Sequence, residues 1–133
     1  MPTKAQPQSD SRSSQVPRPP ARVDVERFRA DLREAGVEEM VGTLLNTFVQ
    51  DCPIRFAALE RAVQGGVAKE IERAAHAFKS GAGTVRATFL AEGLNKAEAA
   101  GRTGNLESVS GLLEQIRGEY LAVVREIEAT PQQ

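Results

Sequence analysis

Between Val23 and Ile127 the apolar residues recur every three or four positions, and no stretch alternates apolar with polar residues in the β-branched manner of a strand. That period commits the chain to an all-α domain. Asp24 is placed to cap a short helix whose Val25, Phe28 and Leu32 share a face, with Gly36 ending it. A second stripe runs through Val37, Met40, Val41, Leu44, Leu45, Phe48 and Val49 and is expected to stop before Pro53, which disfavours helix at the preceding Cys52. Pro53 then opens a segment using Ile54, Ala58, Leu59, Ala62 and Val63, closed by Gly65-Gly66. A further helix starts near Val67, contains His76 and enters Ser80-Gly81-Ala82-Gly83. Phe89, Leu90, Leu94 and Ala97 mark the next, which leads through Gly101 into the turn Arg102-Thr103-Gly104-Asn105. The last helix repeats Leu106, Val109, Leu113, Ile116, Tyr120, Val123 and Ile127 at alternating steps of three and four, the seam of antiparallel bundle packing. The expected architecture is an antiparallel up-and-down four-helix bundle with a short additional N-terminal helix covering one end.

Residues 1–22 are rich in Pro, Ser and Gln and carry little apolar mass, so they read as a disordered tail or linker before a single domain over 23–130. The tail's basic residues lack interleaved aromatics, and a net charge of -1 provides no field for nucleic acid or an anionic membrane. No apolar run is long enough to cross a bilayer and no secretory signal opens the chain, so a cytoplasmic location is the expectation. A monomer is expected as well. Cys52 is the only cysteine, which excludes an internal disulfide. One His and one Cys make a poor metal shell, so neither a metal nor a cofactor is expected. A Cys52/His76 thiol enzyme lacks an oxyanion-hole motif, and Cys52 reads as a small residue near a helix end.

The only histidine, His76, carries the chemistry. At about 100° per residue, Ile71, Ala74, Ala75, Phe78, Ala82 and Val85 define the core-facing direction of its helix, and His76 lies roughly 140° away, toward solvent. Lys69 and Arg73 precede it on this outer face, with Lys79, Ser80 and Gly83 following. Cations can neutralise a phosphoryl group on the imidazole, and small residues admit the backbone of another protein. A plain solvated helix face has the same appearance from spacing alone.

Ala75-His76-Ala77-Phe78-Lys79-Ser80-Gly81-Ala82, with Leu90-Ala91-Glu92-Gly93-Leu94-Asn95-Lys96-Ala97-Glu98 after it, resembles the histidine-containing phosphotransfer (HPt) domain of bacterial phosphorelays over about residues 23–129. The resemblance implies that His76 is the phosphoacceptor, modified on Nε2, and that Lys79 supports the phosphoryl group. It implies that Ser80 and Gly81 are the small pair where a receiver domain packs, and that Glu98 hydrogen-bonds the His76 ring. Glu98 could equally pair with Arg102 at i+4 on an exposed face. Two departures stand out: Arg86 occupies a position where the family often has Gly, and Ser80-Gly81 reverses the usual order. The helix junction near Thr84 is therefore where this chain should differ, with Arg86 either adding charge near the site or simply solvated.

The implied function is acceptance of a phosphoryl group from a receiver-domain aspartate and delivery to another receiver, without an ATP site of the chain's own. The implied partners are response-regulator receiver domains and a sensor or hybrid histidine kinase, with Mg²⁺ expected on the receiver. Two alternatives remain: the phosphoacceptor domain of a chemotaxis-type kinase, and a helical adaptor that works without phosphorylation.

Overall fold

The computed structural model describes residues 21–130, and within them the chain is helical throughout its regular structure. Of the tail expected over residues 1–22, the first twenty lie outside the described residues, while Arg22 is described and is held by Glu126 and Phe89. Helix α1 spans Val25–Glu34, and a single 3-10 turn, Glu38–Met40, leads into α2, Val41–Gly65. Helices α3, Ala68–Thr84, α4, Thr88–Thr103, and α5, Val109–Ala129, complete the order.

The four long helices form a closed ring, α2 against α3, α3 against α4, α4 against α5 and α5 back against α2. Cross-helix pairs fix the directions. Arg102–Glu72, His76–Glu98 and Lys79–Asn95 join α3 and α4 in opposite sense, as Arg117–Glu60 and Phe56–Tyr120 do for α5 and α2. The bundle is therefore antiparallel and up-and-down. Its interior is a single cluster containing Leu45, Phe48, Phe56, Leu59, Ile71, Phe78, Leu90, Leu94, Ile116 and Val123. Each such side chain removed from water contributes on the order of 1.5–3 kcal/mol, which far exceeds what helix propensity provides.

Pro53 does not end a helix; it lies inside α2. The buried residues Val41, Leu45, Phe48, Cys52, Phe56, Leu59 and Ala62 step by three or four straight through it. One uninterrupted stripe is buried on both sides of the proline, and that burial outweighs the one backbone hydrogen bond the ring removes. Leu59 and Ala62 are buried as expected, but splitting the segment misplaced its first core position. Ile54 is 66% exposed on the outer side, and Phe56 takes the core position instead. Cys52 consequently sits in mid-helix within the core, not near a helix end. Met40 and Val37 belong to the preceding turn, and Leu106 packs against the core ahead of α5.

Asp24 caps α1 by accepting from the Arg27 amide at 3.0 Å, as its position suggested. Arg22 is tied down as well: its amide donates to both carboxylate oxygens of Glu126 at 2.8 and 2.9 Å, and its guanidinium lies over the Phe89 ring. At the far end of α1, Val37 N–H donates to Leu32 C=O and Gly36 N–H to Arg33 C=O, the Schellman pattern with a left-handed glycine at φ +81°.

The same pattern closes α3 with an arginine in the glycine's place. Ala87 N–H donates to Ala82 C=O, Arg86 N–H to Gly83 C=O, and Arg86 sits at φ +66°. This is why glycine suits the position, and why the junction near Thr84 keeps its shape without it. The Arg86 guanidinium is not simply solvated. It donates two hydrogen bonds to Asp31 at 2.8 and 3.0 Å, holding that carboxyl below its ordinary range and fastening α1 to the α3–α4 corner. A left-handed conformation costs a non-glycine residue about 1 kcal/mol. Arg86→Gly relieves that cost while losing a partly exposed ion pair and should stay close to the parent in stability. Arg86→Ala loses the pair and keeps the cost, so its urea midpoint should fall below that of Arg86→Gly.

Candidate functional site

α3 carries its buried side, Ile71, Ala75, Phe78 and Ala82, against the bundle, which leaves His76 on the opposite side with 64% of its side chain exposed. α4 runs antiparallel beside it and brings Glu98 to the ring. His76 Nδ1 and Glu98 Oε2 are 2.9 Å apart. Glu98 is the buried charged residue of the described chain, 8% exposed, yet it is not isolated. The Lys79 ammonium forms an ion pair with Oε1 that lacks good hydrogen-bond alignment, and Arg102 Nη2 lies 3.8 Å from Oε2.

The charges decide the tautomer. Lys79 first, then the His76 ring, hold the Glu98 carboxyl below its ordinary range against the opposing effect of burial. An ionised carboxylate can only accept, so in the neutral ring Nδ1 carries the proton and the lone pair is on Nε2, at the outer edge of an exposed ring. A nucleophilic nitrogen facing solvent, with its other nitrogen pinned by an anion, is the arrangement that attack on phosphorus requires.

The remaining candidates divide by location. Lys79 is half-buried along its stem and also donates to Asn95 Oδ1 at 3.2 Å. Ser80, Gly83 and Arg73 are exposed on the His76 side of α3, and a Cβ at Gly83 would meet nothing within 4 Å. Lys69 is exposed and pairs with Glu72 at 3.6 Å. Gly81 is not on that side: a Cβ there would point to the Phe48 ring, 3.6 Å away on α2. Both proposed partners of Glu98, the His76 ring and Arg102, contact the same oxygen.

Sequence reasoning missed three participants. Asn95 lies one turn before Glu98 on α4 and could have been found on a helical net once Glu98 was assigned. Glu72, which joins Arg102 at 3.6 Å, sits one turn before His76. Gly101 looks, from the sequence, only like the approach to the turn at Arg102-Thr103-Gly104-Asn105. Cys52 takes no part: it is fully buried, and burial pushes its thiol up to about 12. Among the described residues no group of three or more His, Cys, Asp or Glu could hold a metal ion.

A family model, the Hpt domain, matches residues 43–127. Among solved structures, the crystal structure of histidine-containing phosphotransfer protein B (HptB) from Pseudomonas aeruginosa PAO1 is similar, with 32% sequence identity and a TM-score of 0.74, covering 81% of this chain and 92% of that one. No curated protein matches the chain.

Proposed function

Because this chain belongs to the Hpt domain family, the histidine phosphotransfer proteins of phosphorelays, we propose that His76 is its phosphoacceptor, charged by a receiver-domain aspartate and discharged to another receiver. The observation that carries this reading is the 2.9 Å contact of an exposed imidazole, through Nδ1, with a carboxylate kept ionised by Lys79.

The chemistry follows from that contact. The Nε2 lone pair attacks phosphorus, the N–P bond forms, and the bond from phosphorus to the aspartyl oxygen breaks, releasing a carboxylate. Because Nδ1 keeps its proton, the phosphorylated ring becomes cationic, and the Glu98 anion beside it stabilises that charge. From that cation the N–P bond breaks to return a neutral imidazole, a good leaving group, so the transfer runs in either direction. Lys79 stands one turn from His76 and can share its charge with the phosphoryl oxygens. Mg²⁺ and the acidic pocket belong to the receiver, and ATP is used by a partner kinase and not by this chain.

Ser80, Gly83, Arg73 and Lys69 serve as the receiver-facing rim, with Gly81 instead easing the approach of α3 to Phe48. The domain acts over residues 23–130 as a monomer. A cytoplasmic location suits these partners, and no helix among the described residues is long and apolar enough to cross a membrane.

The test is transfer from a radiolabelled phospho-receiver to the purified chain and on to a second receiver. Label that appears on the chain and then moves on supports the reading; label acquired only from an ATP-charged kinase core, with receivers inert in both directions, overturns it in favour of a kinase phosphoacceptor domain. Lys79→Ala should slow transfer by about fivefold, the scale of one partly exposed charge pair, and unchanged rates would remove Lys79 from its role.

A further inference from the structure

One turn away from the contact between Glu98 and His76, α3 and α4 pass very close to each other. A Cβ built at Gly101 would stand 2.6 Å from the Glu72 amide nitrogen, 2.9 Å from the Ala68 carbonyl oxygen and 3.0 Å from Glu72 Cα. All three are main-chain atoms, so no side-chain rotation relieves the overlap. Gly101 is buried, lies in the helical body of α4, and has no positive φ to account for it. What its missing side chain provides is helix separation.

The location gives that separation a consequence. Gly101 is one turn after Glu98 on α4, and Glu72 is one turn before His76 on α3, so in this antiparallel pair the tight crossing adjoins the Nδ1–carboxylate contact. Arg102 reinforces the spot, with Nε 3.6 Å from Glu72 and Nη2 3.8 Å from Glu98. Restoring ordinary contact around an added Cβ requires the two backbones to part by about 1 Å. A hydrogen bond of 2.9 Å opened by that much is no longer one.

We propose that Gly101 is a positioning residue for phosphotransfer, setting the α3–α4 distance at which Glu98 holds the Nδ1 proton of His76. The inference rests on His76 being the acceptor. A built-in control sits on the same helix. A Cβ at Gly93 would meet Ile116 Cγ1 of α5 at 3.3 Å, so Gly93→Ala strains the bundle on a side away from α3.

The experiment compares the parent chain with Gly101→Ala and Gly93→Ala. Two quantities are read: the ¹⁵N shifts of the two His76 ring nitrogens, which report the tautomer, and the initial rate of charging by a phospho-receiver per folded molecule. Gly101→Ala should show mixed tautomers and charging slowed by about tenfold, with the receiver concentration for half-maximal rate unchanged. Gly93→Ala should keep the parent tautomer and rate even where its stability drops. A folded Gly101→Ala with parent ring shifts and rate overturns the proposal, as does an equal loss in Gly93→Ala. If Gly101→Ala stays unfolded even in a stabilising osmolyte, Ala97→Val decides. It adds two carbons one turn earlier on the same side of α4, and parent shifts and rate in it overturn the proposal. Failure of the parent chain to label on His76 would instead strike the acceptor assignment, while the ring shifts still report on Gly101.

Discussion

Replacing His76 by Gln abolishes acid-labile labelling by a charged receiver and leaves the helical circular dichroism and the unfolding midpoint essentially where they were. The two halves of this result have separate causes. His76 is 64% exposed and contributes nothing to the core, and a Gln amide can still donate to Glu98, so stability should change by no more than about 0.5 kcal/mol. The nucleophilic nitrogen, however, has no substitute: His76 is the only histidine of the chain, and Cys52 is buried with its thiol pushed up to about 12. Residual phosphorylation of the variant would place the acceptor elsewhere, and partner binding that persists alongside a complete absence of phosphate on the parent would mean a phosphorylation-independent adaptor.

The second large effect concerns Glu98. Removing its side chain in Glu98→Ala frees the ring tautomer and leaves Lys79 without its counter-charge, and transfer should fall by about 10- to 100-fold, the range for losing the group that orients a reactive imidazole. Glu98→Gln should fall less, because an amide can still accept from Nδ1–H; it can also donate to the opposite tautomer, so the preference weakens. The stability of these variants carries a pH signature. The Glu98 carboxyl titrates below its ordinary value of 4.5 in the folded chain, chiefly through Lys79 and then His76. A depressed folded value means that its contribution is complete above the unfolded value and disappears as pH falls through the folded one. The unfolding midpoints of the parent and Glu98→Gln should therefore differ most above about pH 5 and converge in strong acid. A gap that widens on acidification would show that the carboxylate is not stabilised by its cationic neighbours.

How far these features could be read from the sequence depends on whether they are local. The orientation of His76 follows from the angles of six apolar residues on its own helix, and the ends of α1 and α2 follow from Gly36 and Gly66, whose left-handed backbone is a property of two or three adjacent residues. Pro53 misled because its local preference is real but is outweighed by a stripe, Phe48–Cys52–Phe56–Leu59, that only a packed bundle makes decisive. Arg86 was recognisable as a departure, but its partner Asp31 is 55 residues away and its left-handed φ hides behind an ordinary side chain. The Glu98 contact was suggested by resemblance; its being held anionic by Lys79 depends on two helices meeting side by side. The role of Gly101 was illegible for the same reason, since a glycine at the end of an apolar stripe looks like a stop signal until the neighbouring backbone is in place.

The most direct measurement is a ¹H–¹⁵N correlation spectrum of the His76 ring before and after charging, unambiguous because the chain has no other histidine. The uncharged ring should be protonated on Nδ1, and charging should place the phosphorus coupling on Nε2 with Nδ1 still bearing its proton. A ring protonated on Nε2, or a phosphoryl group on Nδ1 or on any other residue, would contradict the account.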